Sequence, residues 1–206
     1  MTRALSLGAA LIGWSFASPR LPAAWRVALQ ACLGGLLVVV TRAPLGLRPP
    51  RLWAGLRLGS VVGVAAAGAI AATTVVPPVR LSMAVRDLPA PAPGWLLVRI
   101  PLGTIWAEEA AFRAALASAG SVAFGNDGGR LLQAATFGLT HIADARATGE
   151  PIAATVLVTA VGGWLFGWLA DRSGSLAAPM LVHLAINEAG AIAALTVQRR
   201  TRNEAR

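Results

Sequence analysis

The sequence of 206 residues has no lysine, one cysteine and few charges, because Asp, Glu, Lys and Arg together make up 13% of it. A soluble domain carries about 25% charged residues. The 18 basic residues are all arginines and lie scattered between apolar runs, which is unlike a nucleic-acid-binding surface. Cys32 lies in an apolar run, so we exclude a disulfide scaffold and a cysteine metal cluster and predict a small, buried side chain.

Apolar residues are abundant: they make up 56% of the chain, and the mean hydropathy is +0.64. These values indicate a membrane protein. The exclusive use of arginine is typical of a GC-rich genome, so we expect a multi-pass protein of a bacterial cell membrane. The chain is too short for two domains with several spans each, which predicts one helical membrane domain.

Long apolar runs predict the membrane helices, since a span needs about 20 mostly apolar residues. The runs cover residues 4–17, 27–41, 58–76, 95–117, 131–143, 152–169 and 176–197. They predict an all-α, polytopic transmembrane bundle of about seven helices, within a range of roughly six to eight. The first run also fits a cleavable signal peptide, but we favour an uncleaved helix.

Two arginine-rich segments conflict with an odd number of spans. Residues 42–57 carry four arginines and no acid, and the C-terminal tail carries four arginines with one glutamate. The positive-inside rule places both segments in the cytoplasm, which seven full crossings do not allow. Either one run is not a full crossing or one basic cluster lies outside.

The fourth run holds Glu108, Glu109 and Arg113 in the middle of an apolar helix. Ionisable groups at membrane depth cost a few kcal/mol each and are functional candidates by default. Adjacent residues diverge by about 100° around an α-helix, whereas Glu109 and Arg113 at i,i+4 share a face and can pair. Glu108 is then the carboxylate free for chemistry. The alternative is a purely structural ion-pair network.

Two later runs contain the only histidines of the chain. Phe137 and His141 lie four residues apart in the fifth run, and His183 and Asn187 have the same spacing in the seventh. Measured from one side of the membrane at a rise of 1.5 Å per residue, Glu108 and these three polar residues lie about 11 to 17 Å deep. We therefore expect them to meet within the bilayer.

Such a cluster is suited to hydrolysis. A buried carboxylate can take a proton from water, a histidine can hold that water, and a second histidine and an asparagine can donate hydrogen bonds to an oxyanion. The sequence has no His-Glu-x-x-His pair, no Gly-x-Ser-x-Gly elbow and no phosphate-binding glycine loop. A zinc site with Glu108, His141 and His183 as ligands remains an open alternative.

Three motifs in this order resemble the CPBP family, the CAAX-processing and bacteriocin-processing (Abi-like) intramembrane proteases, also called type II CAAX prenyl endopeptidases. The residues that carry the resemblance are Glu108-Glu109-x-x-x-Arg113 with Phe112, Phe137-x-x-x-His141, and His183-x-x-x-Asn187 preceded by Ser173-Gly174-Ser175-Leu176 and Pro179. The resemblance covers about residues 100–189. The chain departs from the family pattern at Ala114, where glycine is frequent, and at Glu188, an additional carboxylate.

The resemblance implies a helical intramembrane endopeptidase of the CAAX prenyl endopeptidase type II/Abi-like fold. It implies that Glu108 activates water with help from His141, and that His183 and Asn187 stabilise the oxyanion. The implied catalytic residues are Glu108, His141, His183 and Asn187. The residues implied to organise the site are Glu109, Arg113 and Phe137. No metal cofactor is required by the glutamate-dependent mechanism of this family, with zinc as the alternative.

With this resemblance we divide the chain into N-terminal transmembrane helices over residues 1–94, a catalytic core over 95–198 and a basic tail over 199–206. The expected partners are a peptide or membrane-protein substrate and the lipid bilayer, without nucleic acid, and the sequence indicates no particular oligomeric state. Because bacteria generally do not prenylate proteins, we do not expect the trimming of prenylated C-termini.

Two other functions compete with proteolysis. A catalytically silent scaffold of the same fold would bind or regulate a partner membrane protein through the same polar groove. A small transporter would use the glutamate and the histidines as a proton relay, but the sequence shows neither an inverted repeat nor paired broken helices. The presence of all four catalytic-type side chains favours the enzyme, because a scaffold has no physical need for oxyanion donors.

Overall fold

The computed structural model describes residues 1–204, with only the backbone at Ala23, and these residues form helices and turns without a strand. The helices are α1 (Thr2–Ala17), α2 (Ala23–Thr41), α3 (Arg51–Thr73), α4 (Pro77–Val85), α5 (92–124), α6 (126–140), α7 (Ile142–Thr148), α8 (Ile152–Ser173) and α9 (Ala177–Glu204). Two of them, α4 and α7, are short, with 9 and 7 residues. Seven long helices therefore confirm the predicted all-α bundle.

Four of these helices are long and apolar enough to cross a membrane: α2, α3, α8 and α9. Large apolar side chains on their outer faces are exposed, for example Val39, Val61 and Val158. Cys32 is also exposed on α2, so the prediction that it is buried was wrong. The physical reason is that an apolar run in a membrane protein indicates an apolar surrounding, which lipid provides as well as protein does.

Helix α5, which carries the acidic motif, departs from α-helical geometry over most of its length. After a first turn at Ala92–Gly94 it is π-helical over Trp95–Trp106 and again over Glu109–Leu116. Pro101 lies inside the first π-helical segment. A proline has no N–H and its ring clashes with the carbonyl four residues earlier, which widens or kinks a helix. The α-helical geometry that the sequence predicted for this run was therefore wrong in detail.

A tight hairpin at Gly125 joins α5 to α6. Gly125 has φ +75° and ψ 171°, which breaks the helical conformation between residues 117 and 140. Just before and after this turn, Gly120 and Gly129 face each other so closely that a Cβ on Gly120 would lie 2.8 Å from the Cα of Gly129. The fourth and fifth predicted runs therefore extend toward each other and form one hairpin. Its second helix, α6, packs on α8 and α1.

Three small residues spaced at i,i+4 bring α3 into contact with α9. The Cβ positions of Gly55, Gly59 and Gly63 face successive residues along the first part of α9, so the two helices run side by side in the same direction. Residues 51–57 consequently lie beside the start of α9, whereas residues 199–204 form its other end. The two arginine-rich segments thus lie at opposite ends of the bundle, and Arg206 lies outside the described residues.

The turn before α9 is fixed by hydrogen bonds. Gly174 ends α8 in a left-handed conformation with φ +66°, and Ser175 Oγ accepts a hydrogen bond of 3.2 Å from the backbone N–H of Ala177. The backbone N–H of Leu176 donates to the carbonyl of Leu45, in the loop between α2 and α3, at 2.9 Å. The Ser175 side chain therefore caps the start of α9, and these bonds set the direction in which α9 enters the bundle.

We expect Gly59→Ala to lower the free energy of unfolding by about 1–3 kcal/mol, because overpacking a close contact forces a shift of the surroundings. A Cβ at this position would lie 2.8 Å from the carbonyl oxygen of Ala178, a backbone atom that cannot rotate away. The control is Gly68→Ala in the same helix, where no atom lies within 4 Å of the added carbon. Denaturation of both purified variants in detergent measures the difference, and equal midpoints would contradict close packing of α3 on α9.

Candidate active site

A buried imidazole and two charged side chains form the centre of the polar cluster. His183 on α9 donates from Nδ1 to Glu109 Oε1 on α5 at 2.8 Å, and Arg113 Nη1 lies 3.3 Å from the same oxygen. The side chains of Glu109 and Arg113 are both 0% exposed. The predicted i,i+4 ion pair is therefore present, and the structure adds His183 as a second partner of Glu109.

Glu108, the neighbouring carboxylate, faces the other nitrogen of the same ring. Its Oε2 lies 3.8 Å from His183 Nε2, and its side chain is 31% exposed, in contrast to the fully buried Glu109. We expected the two acids to diverge around an α-helix. They reach the same ring because the two nitrogens of an imidazole lie on different sides of it: Glu109 meets Nδ1 and Glu108 faces Nε2.

Aromatic rings enclose the guanidinium of Arg113. Its Cζ lies 4.0 Å from the ring centroid of Phe137 on α6 and 4.9 Å from that of Phe166 on α8. Phe166 also stacks on the His183 ring, with centroids 4.8 Å apart. These cation–π contacts hold a charge in an apolar surrounding. Sequence reasoning found Phe137 but missed Phe166, because one more phenylalanine in an apolar span gives no signal.

His141 lies where α6 ends and α7 begins. Its Nδ1 lies 2.8 Å from the carbonyl oxygen of Phe137, and the Phe137 ring packs edge-on against the imidazole at 4.7 Å. A carbonyl only accepts hydrogen bonds, so Nδ1 carries the proton and Nε2 of the neutral ring is free to accept one.

Asn187 follows His183 by one turn of α9 and is half-buried. Its Nδ2 donates to the backbone carbonyl of His183 at 3.1 Å. This bond uses one of the two N–H groups of the amide, which has a second one to offer. The structure thus brings Glu108, Glu109, Arg113 and His183 into direct contact. Phe137 lies between this group and His141, and Asn187 lies one turn further along α9.

The centre of the cluster has unused hydrogen-bonding capacity. Within the described residues, Glu109 Oε2 and the three guanidinium nitrogens of Arg113 are buried without a hydrogen-bond partner. Arg113 and Glu109 therefore attract each other mainly through charge, at a distance of 3.3 Å, rather than through an aligned hydrogen bond. Removing either partner would leave an uncompensated charge in the protein interior.

The alternative of a zinc site concerns Glu108, His141 and His183. Among residues 1–204, no group of three or more His, Cys, Asp or Glu side chains is arranged to hold one ion. We derive no step through a metal, and the expectation that none is required stays a prediction.

Comparison with known families gives one match. The model of the family described as Rce1-like, type II CAAX prenyl endopeptidase, matches residues 90–189, which confirms the resemblance inferred from the three motifs. All seven predicted site residues lie within this segment. No curated protein and no solved structure shows significant similarity to the chain.

Proposed function

We propose that this chain, whose residues 90–189 match the model of the Rce1-like type II CAAX prenyl endopeptidase family, is an intramembrane endopeptidase that hydrolyses peptide bonds with a glutamate-activated water. The family and the four apolar helices indicate a membrane protein with protease activity. One observation supports the mechanism most directly: a partly exposed carboxylate, Glu108, lies beside the buried triad of Glu109, His183 and Arg113.

In the first step Glu108 accepts a proton from a water molecule, and the water oxygen bonds to the carbonyl carbon of the peptide. The exposed part of Glu108 gives water access to the carboxylate, and Nε2 of His141 accepts the second hydrogen of that water as a hydrogen bond. The carbonyl π electrons move onto the oxygen, which becomes the oxyanion of a tetrahedral intermediate.

The oxyanion accepts hydrogen bonds from the free N–H of Asn187 and from Nε2 of His183 in its protonated form. Because Nδ1 of His183 already donates to Glu109, the ring has a hydrogen on Nε2 only as an imidazolium. The carboxylate of Glu109 stabilises that cation, while Arg113 balances the charge of Glu109. Glu109 is therefore a positioning residue that acts through His183.

In the last step the C–N bond breaks, and its electron pair stays on the nitrogen of the leaving amine. Glu108 returns the proton taken from water to this nitrogen. The products are a new carboxyl group, which contains the water oxygen, and a new amine. The carboxylate is regenerated, so the cycle consumes one water and no other reagent.

The substrates that we propose are peptides or membrane-protein segments, and the location is the cell membrane of a bacterium. The long apolar faces of the bundle expose side chains such as Val61 and Val64 to lipid, where a membrane-embedded substrate would approach. The chain's site lies among helices rather than in a water-exposed domain, which favours substrates that are themselves in the bilayer.

A hydrolysis assay in ¹⁸O-labelled water tests the proposal. We expect the purified protein in detergent to cleave a peptide mixture, with one ¹⁸O atom in each new carboxyl group, and to keep its rate when a chelator is added. Binding of peptides without any cleavage would favour the scaffold, and loss of cleavage with a chelator, restored by zinc, would show a metal-dependent enzyme.

A further inference from the structure

We propose that a cleft between the first turns of α2 and α5 binds the phosphate group of an anionic phospholipid. The cleft has a volume of ≈ 270 Å³, close to the lower end of the range of small-ligand sites. Its lining comes from α2, from α5 and from the segment before α5, and includes Arg26, Val27, Gln30, Trp95, Val98 and Arg99. Arg99 precedes Glu108 by nine residues, so this cleft is separate from the candidate active site.

The polar lining of the cleft is basic and lacks an acidic residue. Arg26 and Arg99 contribute two positive charges, and Gln30 contributes an amide. Neither arginine forms an ion pair with any residue that the structure describes. Two uncompensated guanidinium groups on one cleft attract an anion, and the planar N–H groups of arginine match phosphate oxygens.

Arg26 is held in place and still has an N–H group to donate. Its Nη2 donates to the backbone carbonyls of Pro19 at 3.1 Å and Leu21 at 3.0 Å, which fixes the guanidinium next to the cleft. Its Nη1 forms no hydrogen bond with the residues that the structure describes, so this group can donate to an anion in the cleft.

The cleft lies at the depth of the lipid head groups. The apolar span of α2 begins at Ala24, so Arg26 is in its first turn. Trp95 lines the cleft, and Trp25, on the same turn as Arg26, is 66% exposed. Tryptophan and arginine at the end of an apolar span mark the membrane–water interface, where lipid phosphates lie. The N-terminus of the 19-residue α2 adds partial positive charge.

A lipid fits the cleft better than free phosphate does, because much of the lining is apolar. Val27, Val98 and Trp95 line the cleft next to the basic groups. Val98 is 47% exposed, and Leu102, four residues further along the same face of α5, is 48% exposed and continues this apolar surface. Acyl chains attached to the bound phosphate can therefore lie along α5, whereas a free phosphate would leave this surface without a ligand.

Native mass spectrometry of the full-length protein in detergent tests the site by titration with phosphatidylglycerol, phosphatidylcholine or inorganic phosphate. We expect phosphatidylglycerol to bind tightest, and Arg26→Gln with Arg99→Gln to weaken it about tenfold or more. Arg99 is exposed and has no hydrogen bond to lose, so the single variant Arg99→Gln tests the site without a risk to folding. The matched control, Arg199→Gln with Arg200→Gln, removes two other exposed arginines of the chain.

Two results would overturn the proposal. An equal loss of phosphatidylglycerol binding in the control variant would show that binding depends on total charge rather than on this cleft. Binding of inorganic phosphate with the same dependence on Arg26 and Arg99, and without any preference for phosphatidylglycerol, would assign the cleft to free phosphate. Neither result bears on peptide cleavage, which is measured separately.

Discussion

Glu108→Gln is expected to lower peptide cleavage by a factor of about 10²–10⁴, the range that a positioned general base contributes. Glutamine keeps the size of the side chain and its hydrogen-bonding ability but cannot take a proton from water. The side chain of Glu108 is 31% exposed and lies 3.8 Å from His183 Nε2. The substitution therefore removes a proton acceptor rather than a fully buried structural contact. Initial rates on one cleaved peptide give kcat and KM for both proteins.

The matched control for this loss is Glu188→Gln. Glu188 is another carboxylate within a membrane helix, and it forms no ion pair with the described residues. We expect this variant to retain most of the activity. Thermal unfolding of Glu108→Gln should give a midpoint close to that of the wild type. Full turnover by Glu108→Gln would eliminate Glu108 as the base and with it the proposed mechanism.

Arg113→Ala is expected to lower the free energy of unfolding by about 3–5 kcal/mol and to reduce cleavage as well. The guanidinium balances Glu109, and both side chains are 0% exposed. Truncation leaves Glu109 buried with His183 as its remaining partner and opens a gap under the rings of Phe137 and Phe166. Denaturation by SDS or heat in a fixed detergent measures the change.

Two further variants separate the effect of the buried charge on stability from other causes of lost stability. Arg86→Ala breaks a surface ion pair of 3.6 Å with Glu150, in which the two side chains are 56% and 49% exposed, and should cost no more than about 1 kcal/mol. Glu109→Gln together with Arg113→Met removes both buried charges and should recover much of the lost stability, although not the activity. A wild-type midpoint for Arg113→Ala would contradict a stabilising role of the pair.

The parts of the site that the sequence predicted correctly are those that depend on spacing along one chain segment. Glu109 and Arg113 are four residues apart and form an ion pair, and Phe137 and His141 have the same spacing and pack edge-on at 4.7 Å. Apolar runs likewise predicted the number of long helices, because lipid requires continuous hydrogen-bonded backbone. Such features follow from helix geometry alone.

The parts that the sequence could not provide depend on contacts between segments. His183 lies between both carboxylates only because α9 enters the bundle against α5, and Phe166 covers Arg113 only because α8 packs beside them. The π-helical form of α5 was also missed, since one internal proline, Pro101, more often predicts a kink than a widened helix. The exposure of Cys32 shows that apolar runs alone do not distinguish lipid from protein as the surrounding.

The hairpin at Gly125 matters for how the proposed peptide cleavage is controlled. The acid motif and His141 belong to one continuous hairpin, while His183 and Asn187 arrive on α9, after the separate helix α8. In the proposed mechanism, the groups that activate water and the groups that stabilise the intermediate therefore lie on separate segments, which meet where Glu109 contacts His183. A shift of α9 relative to the hairpin, with every helix intact, would break this contact and separate the two sets of groups.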